Sequence, residues 1–159
     1  MTRRLGIALA FLVAAGDQLS KSWIIAYLTE PARRGTEALT DFFSLVLVRN
    51  RGVSFGLFNE DSAVNSVLFS LLAAAVVAGL MVWLWRTRNP LIAAAIGLIS
   101  GGAIGNVIDR LRFGAVTDFL DLHWGEWHFP AFNLADSAIT IGVGLLVIDG
   151  LLAPRESRK

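Results

Sequence analysis

Asp118 and Asp136 stand at the two ends of the polar stretch TDFLDLHWGEWHFPAFNLAD, which lies between two long apolar runs. An ionised carboxyl at mid-bilayer costs roughly 2.5–3.5 kcal/mol, so acidic residues kept near lipid usually serve a site. Two carboxyls held together at a membrane surface are the minimum equipment for water-activated bond cleavage, because one can take a proton while the other gives one. These residues point to a membrane enzyme before a membrane scaffold.

More polar residues recur at helical spacing. In one apolar run Gly97, Gly101 and Gly105 share a smooth face that lets helices approach closely, and Asp109 continues the series. Asn106 and Arg110 form the next row at i, i+4, so that helix ends in the cluster Asn106-Asp109-Arg110, where an Asp–Arg cap and a site role are both open. Asp17 and Lys21 share one face of the first apolar run, with Asp17 roughly 17 Å below its far end by helical rise. They are read either as a neutralised pair joining helices or as a positive charge beneath an outer-surface site. Asn133, Asp136 and Thr140 fall on one helical face, with Asn133 as a possible N-cap and Asp136 suited to the first-turn dipole.

Other catalytic sets are poorer. His123 and His128 with Glu126 between them lack metalloprotease spacing and fall on an expected hairpin, so no metal and no cofactor are expected. A Ser/Lys dyad would need Lys21, the only lysine before the C-terminus, with its neighbour Ser20 or with Ser54. Adjacent helix residues do not face each other, and Lys21 already has Asp17. Asp121 is a carboxyl decoy three residues beyond Asp118.

The elements that must position these groups follow from composition. The 159 residues are 55% hydrophobic and only 17% charged, against about a quarter charged in soluble domains. A net charge of +1 excludes a nucleic-acid binder with a clustered basic face. The absence of cysteine excludes disulfides, thiolate sites, a cysteine nucleophile and lipidation of this chain itself. The start TRRLGIALAFLVAAG mimics a secretory signal, but the apolar run resumes with WIIAYL.

Spanning lengths occur at about residues 5–28, 63–85, 90–108 and 132–152, giving an all-α membrane protein with four transmembrane helices in one domain, residues 1–159. Arg3/Arg4, Arg86/Arg88 and Arg155/Arg158/Lys159 place both termini in the cytoplasm and the loops at about 29–62 and 109–131 outside. Those loops carry Arg33, Arg34, Arg49, Arg51, Arg110 and Arg112, so the bias is one of density. All five tryptophans fall near span ends, as in an interfacial belt. Alternating Phe43, Leu45 and Leu47, then Val53, Phe55 and Leu57, around Asn50-Arg51-Gly52 predict a small extracytoplasmic β-hairpin between helices 1 and 2. A weaker hairpin signal surrounds Trp124-Gly125-Glu126-Trp127.

Five ordered motifs then carry a resemblance: DQLSK at 17–21, NRGVSFG at 50–56, GNVIDR at 105–110, VTDF at 116–119 and FNLADSAI at 132–139. Together they cover nearly the whole chain. The chain resembles lipoprotein signal peptidase (signal peptidase II), the aspartic membrane protease of bacteria. The resemblance implies Asp118 and Asp136 as the catalytic pair, with Asn50, Gly52, Asn106, Asp109, Arg110 and Asn133 as a supporting polar shell above Asp17 and Lys21. Ser54 stands where the family pattern has alanine.

The implied substrates are prolipoproteins bearing a diacylglyceryl-modified cysteine, cut on its N-terminal side at the outer face of the bacterial inner membrane. Membrane lipid and globomycin-type peptide antibiotics are the other implied partners, and a monomer is expected. The ionised carboxyl would take a proton from water, while the protonated one hydrogen-bonds the scissile carbonyl and then donates to the leaving nitrogen. The alternative is a small transporter or proton relay using the buried Asp/Lys residues, which four spans without internal symmetry disfavour. A structural assembly factor would need the glycine stripe but no carboxylates.

Overall fold

The computed structural model describes residues 2–52 and 62–152. Four helices occupy α1 (Thr2–Leu28), α2 (Ser62–Arg86), α3 (Pro90–Phe113) and α4 (Leu134–Leu152). Three of them, α2, α3 and α4, are long and apolar enough to cross a membrane. α1 falls short of that apolarity because Asp17, Gln18, Ser20 and Lys21 interrupt it.

α3 is the hub and touches each of the other helices. Its ends are set locally. Asn89 accepts a hydrogen bond from the Leu91 N–H as N-cap, with Pro90 at the first helical position. Gly114 (φ 70°) closes the other end in the left-handed conformation, its N–H donating to the Arg110 carbonyl. The expected span stopped near residue 108, but the helix continues to Phe113, so Asn106, Asp109 and Arg110 are all helical. The polar groups of Asn106 and Asp109 are tolerated because α1 and the strand after α3 supply partners for them.

Lipid gives apolar helices no reason to prefer each other, so close packing must supply it. The glycine stripe does this. A Cβ on Gly97 would stand 2.5 Å from the Gly6 carbonyl oxygen, and one on Gly101 2.5 Å from that of Ala10, so α1 rests directly on α3. A Cβ on Gly105 would collide with the Asp17 carboxylate.

The chain is not all-α. Strands β1 (Thr36–Thr40), β2 (Phe43–Asn50), β3 (Val116–Trp124) and β4 (Trp127–His128) form one antiparallel sheet in the order β1-β2-β3-β4. The expected hairpin between α1 and α2 is present as β1 and β2, but its turn lies at Asp41-Phe42 and not at Asn50-Arg51-Gly52. β2 pairs with β1 on one side and β3 on the other, with Glu37 opposite Leu45 and Asn50 opposite Val116, while Val53, Phe55 and Leu57 lie outside the described residues. The reason is burial. Leu45 and Phe119 pack on Ile24 and Leu28 of α1, so the apolar faces of β2 and β3 satisfy each other there. The weaker signal holds, since His123 pairs with His128 and Trp124 with Trp127 across a turn at Gly125 (φ 59°).

The loop before α2 and the loop before α4 therefore meet in one sheet at one end of the bundle. The start of α1 and the link between α2 and α3 meet at the other, where Arg3 donates to the Trp85 carbonyl. All five tryptophans are exposed and divide between these ends, Trp23, Trp124 and Trp127 at one and Trp83 and Trp85 at the other.

Gly101→Ala should cost about 1–3 kcal/mol through overpacking against α1. Gly144→Ala, with open space around it, should be neutral or stabilising by up to about 1 kcal/mol. Thermal unfolding of the two variants in detergent tests this, and equal melting temperatures would contradict the packing role of the stripe.

Candidate active site

The site is built upward from one buried cation. Lys21 Nζ lies 2.8 Å from Asp17 Oδ2 and 3.4 Å from Asp109 Oδ2, and donates to Asn106 Oδ1 at 2.9 Å. All four side chains are almost wholly inaccessible. Gln18 Nε2 bridges Asp17, the Gly105 carbonyl and Asp109 Oδ1. The Thr117 N–H donates to Asp109 Oδ2, and the Ala135 N–H to Asp17 Oδ1. Every carboxylate oxygen of this cluster is thus engaged, which is the condition under which buried charge is tolerated.

Asn106 passes the arrangement on. Its Oδ1 accepts from Lys21 and Asn133, while its Nδ2 donates to Asp136 Oδ1 at 2.8 Å. Asn133 Nδ2 donates to Asp118 Oδ1 at 2.7 Å, and its Oδ1 caps α4 by accepting the Asp136 N–H at 2.9 Å. Two amides therefore link the carboxyls of Asp118 and Asp136. Asn50 Nδ2 holds the other Asp118 oxygen at 2.9 Å. Gly52 (φ 96°) donates its N–H to Asn50 Oδ1 at 2.8 Å, a turn that fixes the amide, and a Cβ there would strike the Phe69 ring.

The two aspartates differ. Asp118, on β3, is 2% exposed. Burial pushes its carboxyl up to about 6, with the Asp136 charge acting in the same direction, against the hydrogen bonds from Asn50 and Asn133 and the charge of Lys21. Asp136, in the first turn of α4, is half-buried. It lines a cavity of about 530 Å³ with Phe129, Pro130, Phe132, Thr140 and Ile141. One carboxyl is sequestered and the other faces space for a ligand.

All ten residues singled out in the sequence lie at this end, but one pairing is corrected. Asp109 is joined to Lys21 rather than to Arg110, because neighbouring helix residues point about 100° apart. Arg110 lies over the Phe69 ring, and its charge acts on Asp136, Asp118 and Asp109. The sequence reading missed Gln18 and Thr117. Gln18 sat inside a noted motif, but two of its three acceptors, the Gly105 carbonyl and Asp109, are revealed only when α1 meets α3. Asp121 belongs elsewhere, held by His128 Nδ1 at 2.9 Å. His123 stacks on His128 with centroids 5.0 Å apart and meets Ser44 through Nε2. Ser20 donates to the Asp17 carbonyl, away from Lys21, and Ser54 lies outside the described residues.

The family profile described as Signal peptidase (SPase) II matches residues 9–152. The chain belongs to the signal peptidase II family. It is 51% identical over 155 residues to a lipoprotein signal peptidase of Burkholderia ambifaria, covering 97% of this chain and 90% of that one. A lipoprotein signal peptidase of Syntrophotalea carbinolica is 43% identical over 91% of this chain and 89% of its own length. A bacterial membrane enzyme solved by the in meso method shares the fold at a TM-score of 0.78 and 31% identity, covering 94% of each chain.

Two outcomes follow from this candidate site in a member of the signal peptidase II family. Lys21→Met leaves Asp17 and Asp109 buried without a cation and should cost about 3–5 kcal/mol; unchanged unfolding in detergent would refute that. The folded pKa of Asp118 also lies above the ordinary carboxyl value of 3.8, so the folded chain holds that proton more tightly. Its contribution to stability is lost as pH rises from about 4 to about 6. Relative to Asp118→Asn, the wild type should lose at most about 3 kcal/mol over that range, and a flat difference between the two would contradict the shift.

Proposed function

We propose that the chain is an aspartic endopeptidase of the membrane in which Asp118 and Asp136 cleave prolipoproteins. The observation that carries the reading is the chain of two amides, Asn106 and Asn133, joining a sequestered carboxyl to one that opens on a cavity. As a member of the signal peptidase II family it removes the signal peptide of prolipoproteins, and the transporter and scaffold readings fall away. The proposed substrate carries a diacylglyceryl group on its cysteine, and the cut falls on the N-terminal side of that residue.

Asp136, half-open to the cavity, takes a proton from water as the water attacks the scissile carbonyl. Asp118, whose burial favours the protonated form, hydrogen-bonds the carbonyl oxygen as negative charge develops there. The proton gained by the pair returns to the leaving nitrogen as the bond breaks. Asn50, Asn106 and Asn133 hold the two carboxyls in register, and the charges of Lys21 and Arg110 moderate the concentration of negative charge. The apolar flank of Phe129, Pro130 and Phe132 limits bulk water.

The membrane arrangement belongs to the same proposal. The chain is one peptidase domain of the bacterial inner membrane, and α1 spans as a fourth transmembrane helix because Asp17, Gln18 and Lys21 of its polar interruption find partners on α3 and α4. The arginine-rich end with both termini faces the cytoplasm. The sheet and the carboxyls then lie at the outer surface, where a lipidated cysteine is anchored and the search for the site is lateral. The enzyme acts as a monomer, and globomycin-type peptides compete for the cavity beside Asp136.

The test is cleavage of a diacylglyceryl-modified lipobox peptide by purified protein in detergent. Asp118→Asn and Asp136→Asn should each lower kcat/KM by at least about 100-fold with folding retained. Normal turnover by either variant would remove that residue from the pair. The wild type should show an alkaline limb in kcat/KM near pH 6 as Asp118 loses its proton. Asn50→Ala removes a hydrogen bond that lowers that pKa, so the limb should move to higher pH; a shift to lower pH would contradict the assignment.

A further inference from the structure

The end of the bundle remote from the carboxyls holds a second polar feature. Arg3 and Arg4 of α1 and Arg88 of the α2–α3 link line a cavity of about 420 Å³ with Thr2, Thr87 and Trp85. Arg3 Nη2 donates to the Trp85 carbonyl at 2.8 Å, and its guanidinium sits 5.0 Å from the centroid of the Trp85 ring. Thr2 Oγ1 donates to the Arg88 carbonyl at 3.5 Å. Three arginines thus border one cavity, and their like charges repel each other there. Among the described residues none of the three forms an ion pair with a carboxylate, and Asp149 on the nearby end of α4 is engaged by Asn89 Nδ2 at 2.8 Å.

A cluster of this kind calls for an anion, and its surroundings say which kind. Ile7 and Trp85 line the cavity, and Leu5 and Phe11 on α1 and Val82 and Trp83 on α2 are exposed apolar side chains of the same two helices. A soluble anion would gain nothing from that flank. A phospholipid would gain twice, with its phosphate among the arginines and its acyl chains along α1 and α2. Arg3 is already oriented by Trp85 and keeps its remaining N–H donors for a phosphate.

We propose that this cavity binds the phosphate headgroup of an anionic phospholipid, which ties the start of α1 to the α2–α3 link. Direct contacts between α1 and α2 are sparse, so a shared headgroup adds to the few hydrogen bonds, from Arg3 and Thr2, that join them there. The inference is independent of the roles proposed for Asp118 and Asp136.

The experiment compares the wild type with the double variant Arg3→Gln/Arg88→Gln in neutral detergent micelles, titrated with phosphatidylglycerol, phosphatidylcholine or inorganic phosphate. Phosphatidylglycerol should raise the wild-type melting temperature in a dose-dependent way, and native mass spectrometry should retain it on the protein. The apparent lipid affinity should fall about 5-fold for each arginine removed and weaken in high salt. Cleavage of the lipobox peptide by the variant in phosphatidylcholine micelles should match the wild type, which certifies its fold. If the double variant does not fold, Arg4→Gln and Arg88→Gln alone give the same reading. Equal responses to the two lipids, or an undiminished response in the variants, would overturn the proposal. A response to inorganic phosphate equal to that of the lipid would assign the cavity to a free anion and overturn it too.

Discussion

The ammonium of Lys21, held between Asp17, Asp109 and Asn106, is the contact on which the rest of the arrangement depends. Removing charges from water costs several kcal/mol per ion unless every lone pair and proton finds a partner. That demand reaches well beyond the ion pair. It requires Gln18 to face α3, Thr117 to offer its N–H, and the first turn of α4 to offer that of Ala135. It also requires Gly105, since any side chain there would occupy the space of the Asp17 carboxylate. One cation thereby sets the register of α1, α3, α4 and β3, which apolar contacts in lipid would leave free to slide.

The same cluster sets the asymmetry of the two proposed catalytic carboxyls. Asn106 touches Lys21 with its oxygen and Asp136 with its nitrogen, and Asn133 connects Asn106 to Asp118. Asp118 sits on β3, a strand of the sheet itself, where desolvation outweighs the two amides that favour its charged form. Asp136 sits in the first turn of α4 beside a cavity and is only half-buried. Two identical side chains are thus placed differently toward solvent and ligand space, and the proposed acid–base chemistry needs a difference between them.

The molecule is also polarised from end to end. The sheet and the cluster of Asp17, Asp109, Asp118 and Asp136 occupy one end, while Arg3, Arg4 and Arg88 line a cavity with Trp85 at the other. Between them α2 and α4 present exposed leucine, isoleucine and valine to the surroundings, and α3 is covered by its neighbours. The polar groups are therefore confined to places where helices meet or end, which is where a hydrocarbon solvent permits them.

Much of this was legible in the residues themselves. The 3.6-residue period and the length of the apolar runs determined four helices, because backbone groups in lipid must be satisfied within a segment. The four-residue spacing of Gly97, Gly101 and Gly105 determined that α3 would be closely packed, and the i, i+4 spacing of Asp17 and Lys21 that they would meet. The Trp124–Trp127 turn was likewise local. Other features depend on partners distant in sequence. The pairing of β2 with β3 joins residues separated by more than sixty positions, and the local alternation around Asn50 suggested a nearer partner instead. The choice of Lys21 over Arg110 as the cation of Asp109, and the bonds from Gln18 to the Gly105 carbonyl and Asp109, arise only where α1 crosses α3. Periodicity determines which face a side chain occupies; which group stands opposite that face is decided by tertiary packing, because that distance runs through space and not along the chain.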